Sequence, residues 1–259
     1  MDNGGIIGKN IPYNNVALSG IWNINDVQRA RLGDNWPQHN FVTTGMTGRY
    51  DAGVVASYPG SGSTWTNIAP GASGSNITLI NSPTYNSGSG GHIAFDGTND
   101  HGYIAAGNIF QVATESDSLT ISMAFRPDTT LASDEDIFME SGAVSWNWAY
   151  YLNKLNFYPG ANTNQATWSP TTGTWYFLTV VYDASGAGTN YMYVNSTLNY
   201  SVQGNGPTQL GNQMFYLMSR QGSALFTPAS IGLIYVYNRA LNSTEITRNY
   251  EGVRARFGI

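Results

Sequence analysis

The sequence contains no cysteine. That excludes disulfides and thiolate metal sites, and it leaves the redox compartment unread. Charge is scarce as well. Only 10% of the 259 residues are Asp, Glu, Lys or Arg, Lys9 and Lys154 are the only lysines, and the net charge is −5. A chain so poor in cations has little with which to neutralise phosphates, so no nucleic-acid partner is expected. Its three histidines, His39, His92 and His101, lack the spacing of a zinc set. Long apolar runs are missing too. Stretches such as "GLIYVY" (232–237) are too short to span a bilayer, so no membrane insertion is expected. The opening "MDNGGIIGKN" has no basic region followed by an apolar stretch, so no secretory signal is expected.

What is present is glycine (30 residues), seventeen tyrosines and seven tryptophans. Low charge, turn formers and aromatics together fit β-rich structural and lectin-like proteins. The length suits one large all-β domain or two small ones. A domain of about 200 residues buries roughly 70% of its unfolded surface, enough for a core without staples.

Residues 1–44 show no sustained periodicity except one short helix predicted in "IWNINDVQRARLGDNWP". Asn25 is its N-cap, Asp26 suits its first turn, Arg29 and Arg31 its last, and Gly33 and Pro37 stop it. Val27, Ala30 and Leu32 are too few to build a core, so this arm must lie on something else: its own domain, a neighbouring subunit or a larger assembly. From residue 45 onward the pattern is strands and turns. "SLTISMAFRP" (118–127) alternates, and "TWYFLTVVYD" (174–183) is apolar on both faces. "TNYMYVNS" (189–196) and "LNYSVQ" (198–203) read as a hairpin about Asn195–Thr197. "QMFYLMSR" (213–220) and "ASIGLIYVYN" (229–238) complete a series at the spacing of a sandwich or jelly roll. The low-complexity stretch 57–92 reads as surface loops. Near the end, Asn242 and Glu245 form a capping box, and Ile246, Tyr250 and Val253 share a helix face. Gly252 is expected to end that helix early.

The stretch "DEDIFMESG" (134–142) raises the question of catalysis. Alternation would point Asp134, Asp136 and Glu140 the same way, and paired acids can hydrolyse a glycosidic bond. On a regular strand Asp136 and Glu140 stand about 13 Å apart, and Asp134 and Glu140 about 20 Å. Retaining hydrolysis needs ~5–5.5 Å, so no enzyme and no catalytic residue is expected. No cofactor is required. A calcium ion is a candidate ligand for Asp134 with Asp136, and for Asp96, Asn99 and Asp100, against the alternative of Asx-turns at strand ends. Carbohydrate would suit Trp146, Asn147, Trp148, Tyr158, Asn162, Asn164, Gln165 and Trp168, which combine flat apolar rings with amides. The alternative is that these aromatics fill the core or a subunit interface.

Several segments in series carry a family resemblance. They are "YDAGVVASYPGSGSTWTNI" (50–68), "IAFDGTNDHGYI" (93–104), "LTISMAFRP" (119–127), "WYFLTVVYD" (175–183), "MYVNS" (192–196) and "IGLIYVYNRALNSTEITRNYEGVRARFGI" (231–259). In this order they resemble the laminin-G-like, concanavalin A-like lectin/glucanase domains of tailed-bacteriophage virion proteins, over residues 48–259. The arm "GGIIGKN…ALSGIWNINDVQRARLGDNWP" is similar to a segment that opens diverse marine-phage structural proteins. The resemblance implies an all-β, jelly-roll sandwich of two antiparallel sheets over residues 45–259, a short C-terminal helix, and an extended anchoring or oligomerising arm over 1–44. Ile6, Ile7, Ile21, Trp22, Trp36 and Pro37 are the arm's candidate assembly residues.

The resemblance also implies a virion location, assembly in the host cytoplasm, and capsid or tail proteins as partners, with a homo-oligomer, a trimer by analogy, and a host surface glycan as ligand. Within it, a tail-fibre or appendage adhesin is the first reading, capsid decoration the alternative, and a glycan depolymerase the least favoured. Glucanases of this architecture carry Glu-x-Asp-x-Glu; here Asp134 stands first, and Glu140 follows Asp136 by four. Pro228 stands where the family usually has the Gly of a Phe-x-Gly, which implies a local change in that loop or strand.

Overall fold

The computed structural model describes residues 41–72, 75–105, 117–132, 135–142, 146–158, 164–204 and 214–259, with the backbone of 6–7 and 21–22. The arm helix expected near Asn25, and Trp36 and Pro37, lie outside the described residues. Of the arm, β1 (Ile6–Ile7) and β2 (Ile21–Trp22) pair antiparallel.

The remaining strands form two sheets. The first holds β4 (Thr64–Trp65), β5 (Ile77–Ile80), β8 (His101–Ile104), β10 (Asp136–Ser141), β11 (Asn147–Tyr151), β12 (Lys154–Tyr158), β13 (Asn164–Thr167) and β17 (Phe215–Leu217). Its order is β13-β12-β11-β10-β17-β8-β5-β4. The second holds β3 (Met46–Asp51), β6 (Thr84–Asn86), β7 (His92–Asp96), β9 (Leu119–Pro127), β14 (Tyr176–Asp183), β15 (Thr189–Val194), β16 (Thr197–Gln203) and β18 (Pro228–Tyr237). Its order is β16-β15-β14-β9-β18-β7-β6, with β3 and β7 sharing one side of the long β18. Every pairing is antiparallel, as expected of a jelly-roll sandwich.

Between the sheets lies the main core. Phe125, Met123 and Ile121 of β9 meet Phe138, Trp148, Phe157 and Phe215 of the facing sheet. The stretch 57–92 is not merely surface loop. It supplies β4, β5 and β6, and it buries Tyr58, Trp65, Ile77 and Leu79. Trp65, Ile77 and Leu79 fall at inward strand positions, and burial of such side chains outweighs the weak strand propensity of the Gly and Ser around them. The 189–203 hairpin closes through Asn195 and Ser196, both at positive φ, the geometry that matches strand twist in a two-residue turn. Pro228 causes no break: it is the first residue of β18, where a missing N–H is tolerated.

A second core forms on the outer face of the second sheet, beneath helix α1 (Ser243–Phe257). Both halves of the capping box are made at Asn242 and Glu245. The helix passes Gly252 and ends only at Gly258, in the left-handed conformation. Its buried face is Ile246, Asn249, Val253 and Phe257, with Tyr250 only half-buried. Packing of Val253 and Phe257 outweighs the roughly 1 kcal/mol helix penalty of the glycine. Phe257 settles where β18 has no side chain, at Gly232, which is also a bulge against β9. Asn249, fully buried, accepts from the Val42 N–H (2.7 Å) and donates to the Tyr237 hydroxyl (3.0 Å). That hydroxyl donates in turn to the Val42 carbonyl (3.0 Å). The three bonds tie the start of the sandwich to its last helix. Among the described residues no helix is long and apolar enough to cross a membrane.

Two substitutions test this closure. A Cβ at Gly232 would run into the Phe257 ring, so Gly232→Ala is expected to lower unfolding free energy by about 1–3 kcal/mol. Asn249→Ala leaves the Val42 amide without an acceptor and is expected to cost about 1–3 kcal/mol. Urea melts read both as a lowered midpoint at unchanged slope.

Candidate functional site

Strand parity sorts the residues proposed for carbohydrate into two groups. Trp146, Trp148 and Trp168 point into the core, at 1%, 0% and 6% exposure. They form a ring cluster with Phe157, Phe138 and Phe125 and present no surface to a sugar. For these three the core alternative holds, because indoles of this size gain most by full burial. Asn147 alternates with the tryptophans and faces outward, where its neighbour across the ladder is Tyr158. Gln165 faces Asn156 on the same outer side. Asn164 is described only in its backbone, opposite Phe157, and Asn162 lies outside the described residues.

The acids are divided by a bulge. Asp136 stands opposite Tyr150 and Glu140 opposite Asn147. Tyr150 and Asn147 are three apart on β11, an odd interval, so they lie on opposite faces. The extra residue in β10 is Phe138, which together with Met139 enters the core. The expectation that Asp136 and Glu140 share a face is therefore overturned. Asp136 turns inward and accepts from the Ala132 N–H, while Glu140 turns outward. Asp134 lies outside the described residues.

Glu140 joins a polar floor on the outer face of the first sheet. Directly opposed residues run across five strands: Tyr103, Tyr216, Glu140, Asn147 and Tyr158. At about 4.8 Å per strand this row is roughly 19 Å long. Glu140 and Asn147 are buried at its centre, whereas Tyr103, Tyr216 and Tyr158 are half-exposed. Arg220, from the segment after β17, bridges Glu135 (2.6 Å) and Glu140 (3.3 Å). Glu135 accepts from Asn147 (3.4 Å), and Asn147 from Asn156 (3.3 Å). Two acceptors in this network have no donor: Glu140 Oε1 and Asn156 Oδ1. Burial pushes the Glu140 carboxyl up to about 6 despite the neighbouring Arg220 guanidinium. Sequence reasoning missed Glu135, Tyr103, Tyr216 and Arg220. The alternation of Tyr216 with Phe215 and Leu217 is the one signal that could have found any of them.

The other acidic cluster is a turn. Asp96 Oδ1 accepts from the backbone N–H groups of Thr98 (2.8 Å), Asn99 (3.1 Å) and Asp100 (3.1 Å). Burial raises the proton affinity of Asp96, but the backbone bonds together outweigh it and hold the carboxyl below its ordinary value. Among the described residues no group of three or more His, Asp or Glu side chains is arranged to hold a metal.

A family model, described as the concanavalin A-like lectin/glucanases superfamily, matches residues 96–247. No curated protein matches the sequence. Among solved structures, a Trypanosoma rangeli sialidase is similar at 17% identity and a TM-score of 0.59, over 83% of this chain and 33% of that one. The receptor binding domain of botulinum neurotoxin C/D mosaic serotype is similar at 12% identity and a TM-score of 0.62, over 82% of this chain and 52% of that one. The receptor binding domain of botulinum neurotoxin type G gives 13%, 0.56, 79% and 50% in the same terms. The chain thus spans about a third to a half of these proteins, and at such identities the likeness is one of fold.

Burial raises Asp136 from 3.8 to about 6 as well as Glu140 from 4.5 to about 6. Both groups hold a proton more tightly folded than unfolded, so stability is expected to fall as pH rises from about 4 to about 6. Asp136→Asn removes the buried charge. It is expected to raise Tm by a few degrees at pH 7.5, as ~1–2 kcal/mol would in a domain of this size, and not at pH 4. Thermal melts across that range check both statements.

Proposed function

Because the chain belongs to the concanavalin A-like lectin/glucanases superfamily, we propose that it is a non-enzymatic virion structural protein of a tailed phage that binds host surface glycans through the outer face of its first sheet. The observation that carries this reading is the tyrosine row flanking a polar floor with two unpartnered acceptors. Half-exposed Tyr103, Tyr216 and Tyr158 offer flat faces to the C–H side of sugar rings. Half-exposed Gln165 offers an amide to hydroxyls above the buried acceptors of Glu140 and Asn156, the division of labour expected of a site with apolar walls and a few placed polar groups. The solved neighbours named as receptor binding domains support use of the fold for attachment.

Hydrolysis is disfavoured by the same geometry. Among the described residues the acids brought together on this face are Glu135 and Glu140, and the Arg220 guanidinium pairs with both. A glycosidic oxygen or attacking water would have to displace it. The phage setting rests on the resemblance of the arm and of the C-terminal ending to virion proteins. In that setting residues 1–44 anchor the chain or join it to like subunits, as a trimer by analogy, and 45–259 form the displayed sandwich.

A glycan array probed with the full chain, with and without EDTA, tests the ligand and any calcium requirement. Tyr216→Ala and Asn147→Ala are expected to weaken binding at least tenfold, the loss of one good contact of about 1.4 kcal/mol or more. Leu198→Ser, on exposed β16 of the other sheet, should leave it unchanged. Release of reducing ends from bound polysaccharide would replace this reading with a depolymerase. Immunolabelling of particles then separates an adhesin at the tail from decoration of the head, and a chain absent from particles ends the virion reading.

A further inference from the structure

Between α1 and β3, on the opposite side of the sandwich from the tyrosine row, lies a cavity of about 260 Å³. Leu233 and Val253 give it apolar wall, and Arg49, Asp51, Tyr235 and Arg256 bring polar groups to it. The hydrogen bonding of these four is lopsided. Arg256 is engaged at all three of its guanidinium nitrogens: it donates to Asp51 Oδ1 (2.6 Å) and to the carbonyls of Ser89 (3.2 Å) and Gly91 (2.8 Å). Asp51 Oδ1 also accepts from the Gly53 N–H (3.0 Å). Arg49 has nothing comparable. Its guanidinium lies 4.6 Å over the Phe41 ring, and its buried Nε has no acceptor. None of the ion pairs among the described residues includes Arg49.

Tyr235 is the second unused donor. Its side chain is 2% exposed, it stands directly opposite Arg49 on the ladder, and no hydrogen bond engages its hydroxyl. Burial, with Asp51 nearby, holds that phenol above its ordinary range, so it keeps the proton it would donate. The half-buried Arg49 side chain and the Tyr235 hydroxyl thus come to one cavity as donors without a protein acceptor there, which a ligand oxygen would supply. Two guanidiniums against one carboxylate also leave one net positive charge there.

We infer that this cavity binds a carboxylate carried on a small organic molecule, with the Arg49 fork holding the carboxylate and the Tyr235 hydroxyl donating to it. A planar guanidinium matches a planar carboxylate in two parallel bonds. A phosphate dianion fits less well, because Asp51 repels the second charge. The volume lies at the small end of ligand sites and suits one sugar ring or one amino acid, not a polymer. An acidic monosaccharide and a free amino-acid terminus share this chemistry, and the experiment separates them. The site is independent of the tyrosine row.

Isothermal titration of the full chain with D-glucuronate, N-acetylvaline and inorganic phosphate tests the assignment, with D-glucose as competitor. At least one carboxylate is expected to bind, glucose not to displace it, and phosphate to bind more weakly. Whichever carboxylate binds identifies the source. Arg49→Gln is expected to weaken binding at least about tenfold, and Tyr235→Phe several-fold. Tyr235→Phe keeps the ring contacts to Phe41 and Phe177, and Arg49→Lys keeps the cation over Phe41, so these two report if Arg49→Gln does not fold. Arg49→Lys, which loses the fork, should fall between wild type and Gln. Leu198→Ser, exposed on β16 and away from this cavity, should bind the carboxylate as the wild type does. The assignment is overturned if neither carboxylate binds, if phosphate binds as tightly, or if the variants at 49 and 235 bind like wild type.

Discussion

The burial of Trp146, Trp148 and Phe157 between the sheets sets the direction of every other side chain on β11 and β12. Each such ring is worth roughly 1.5–3 kcal/mol when removed from water. A shift of one residue in register would expose all three at once. No hydrogen bond on the outer face approaches that sum, since each contributes about 1 kcal/mol net. The amides therefore go where the indoles are not. Asn147 and Asn156 face outward because their neighbours must face inward, and the polar floor is a consequence of the core.

One strand departs from this rule. In β10 the bulge lets Phe138 and Met139 both enter the core, and parity resets behind them. Without it Glu140 would share the face of Asp136 and meet the facing sheet. With it Glu140 joins Asn147 and comes within reach of Arg220. The bulge thus both assembles the outer network and puts Asp136 and Glu140 on opposite faces. Burial leaves Asp136 with a raised proton affinity and one backbone donor, the Ala132 N–H.

The two outer faces are finished differently. On the second sheet, α1 lies flat because Gly232 admits Phe257 and because Asn249 satisfies the backbone at Val42. The cavity with Arg49 is what remains between that helix and β3. On the first sheet no helix covers the strands among the described residues. Instead Arg220 crosses the floor, and Phe226 stacks on His101 beside Tyr216. One outer face is thus covered by a helix, and the other keeps its tyrosines half-exposed.

Local pattern was enough for much of this fold. The strand at 118–127, the doubly apolar 174–183, the hairpin about Asn195 and the capping box at Asn242 are properties of neighbouring residues, and each is found where the sequence places it, except that the alternation in 118–127 implies one buried face and β9 is buried on both. The strands within 57–92 were hidden because Trp65, Ile77 and Leu79 stand apart among Gly and Ser, and only the facing sheet makes their burial worthwhile. The reach of α1 past Gly252 and the inward turn of the tryptophans were likewise decided by what packs against them. So was the site. Tyr103, Glu140, Asn147 and the pair Tyr216 and Arg220 come from four separate segments, and no spacing along the chain encodes their meeting. Sequence by itself determined which residues alternate; tertiary structure alone decided which side of each strand met solvent, because burial is a property of the opposing surface and not of the strand.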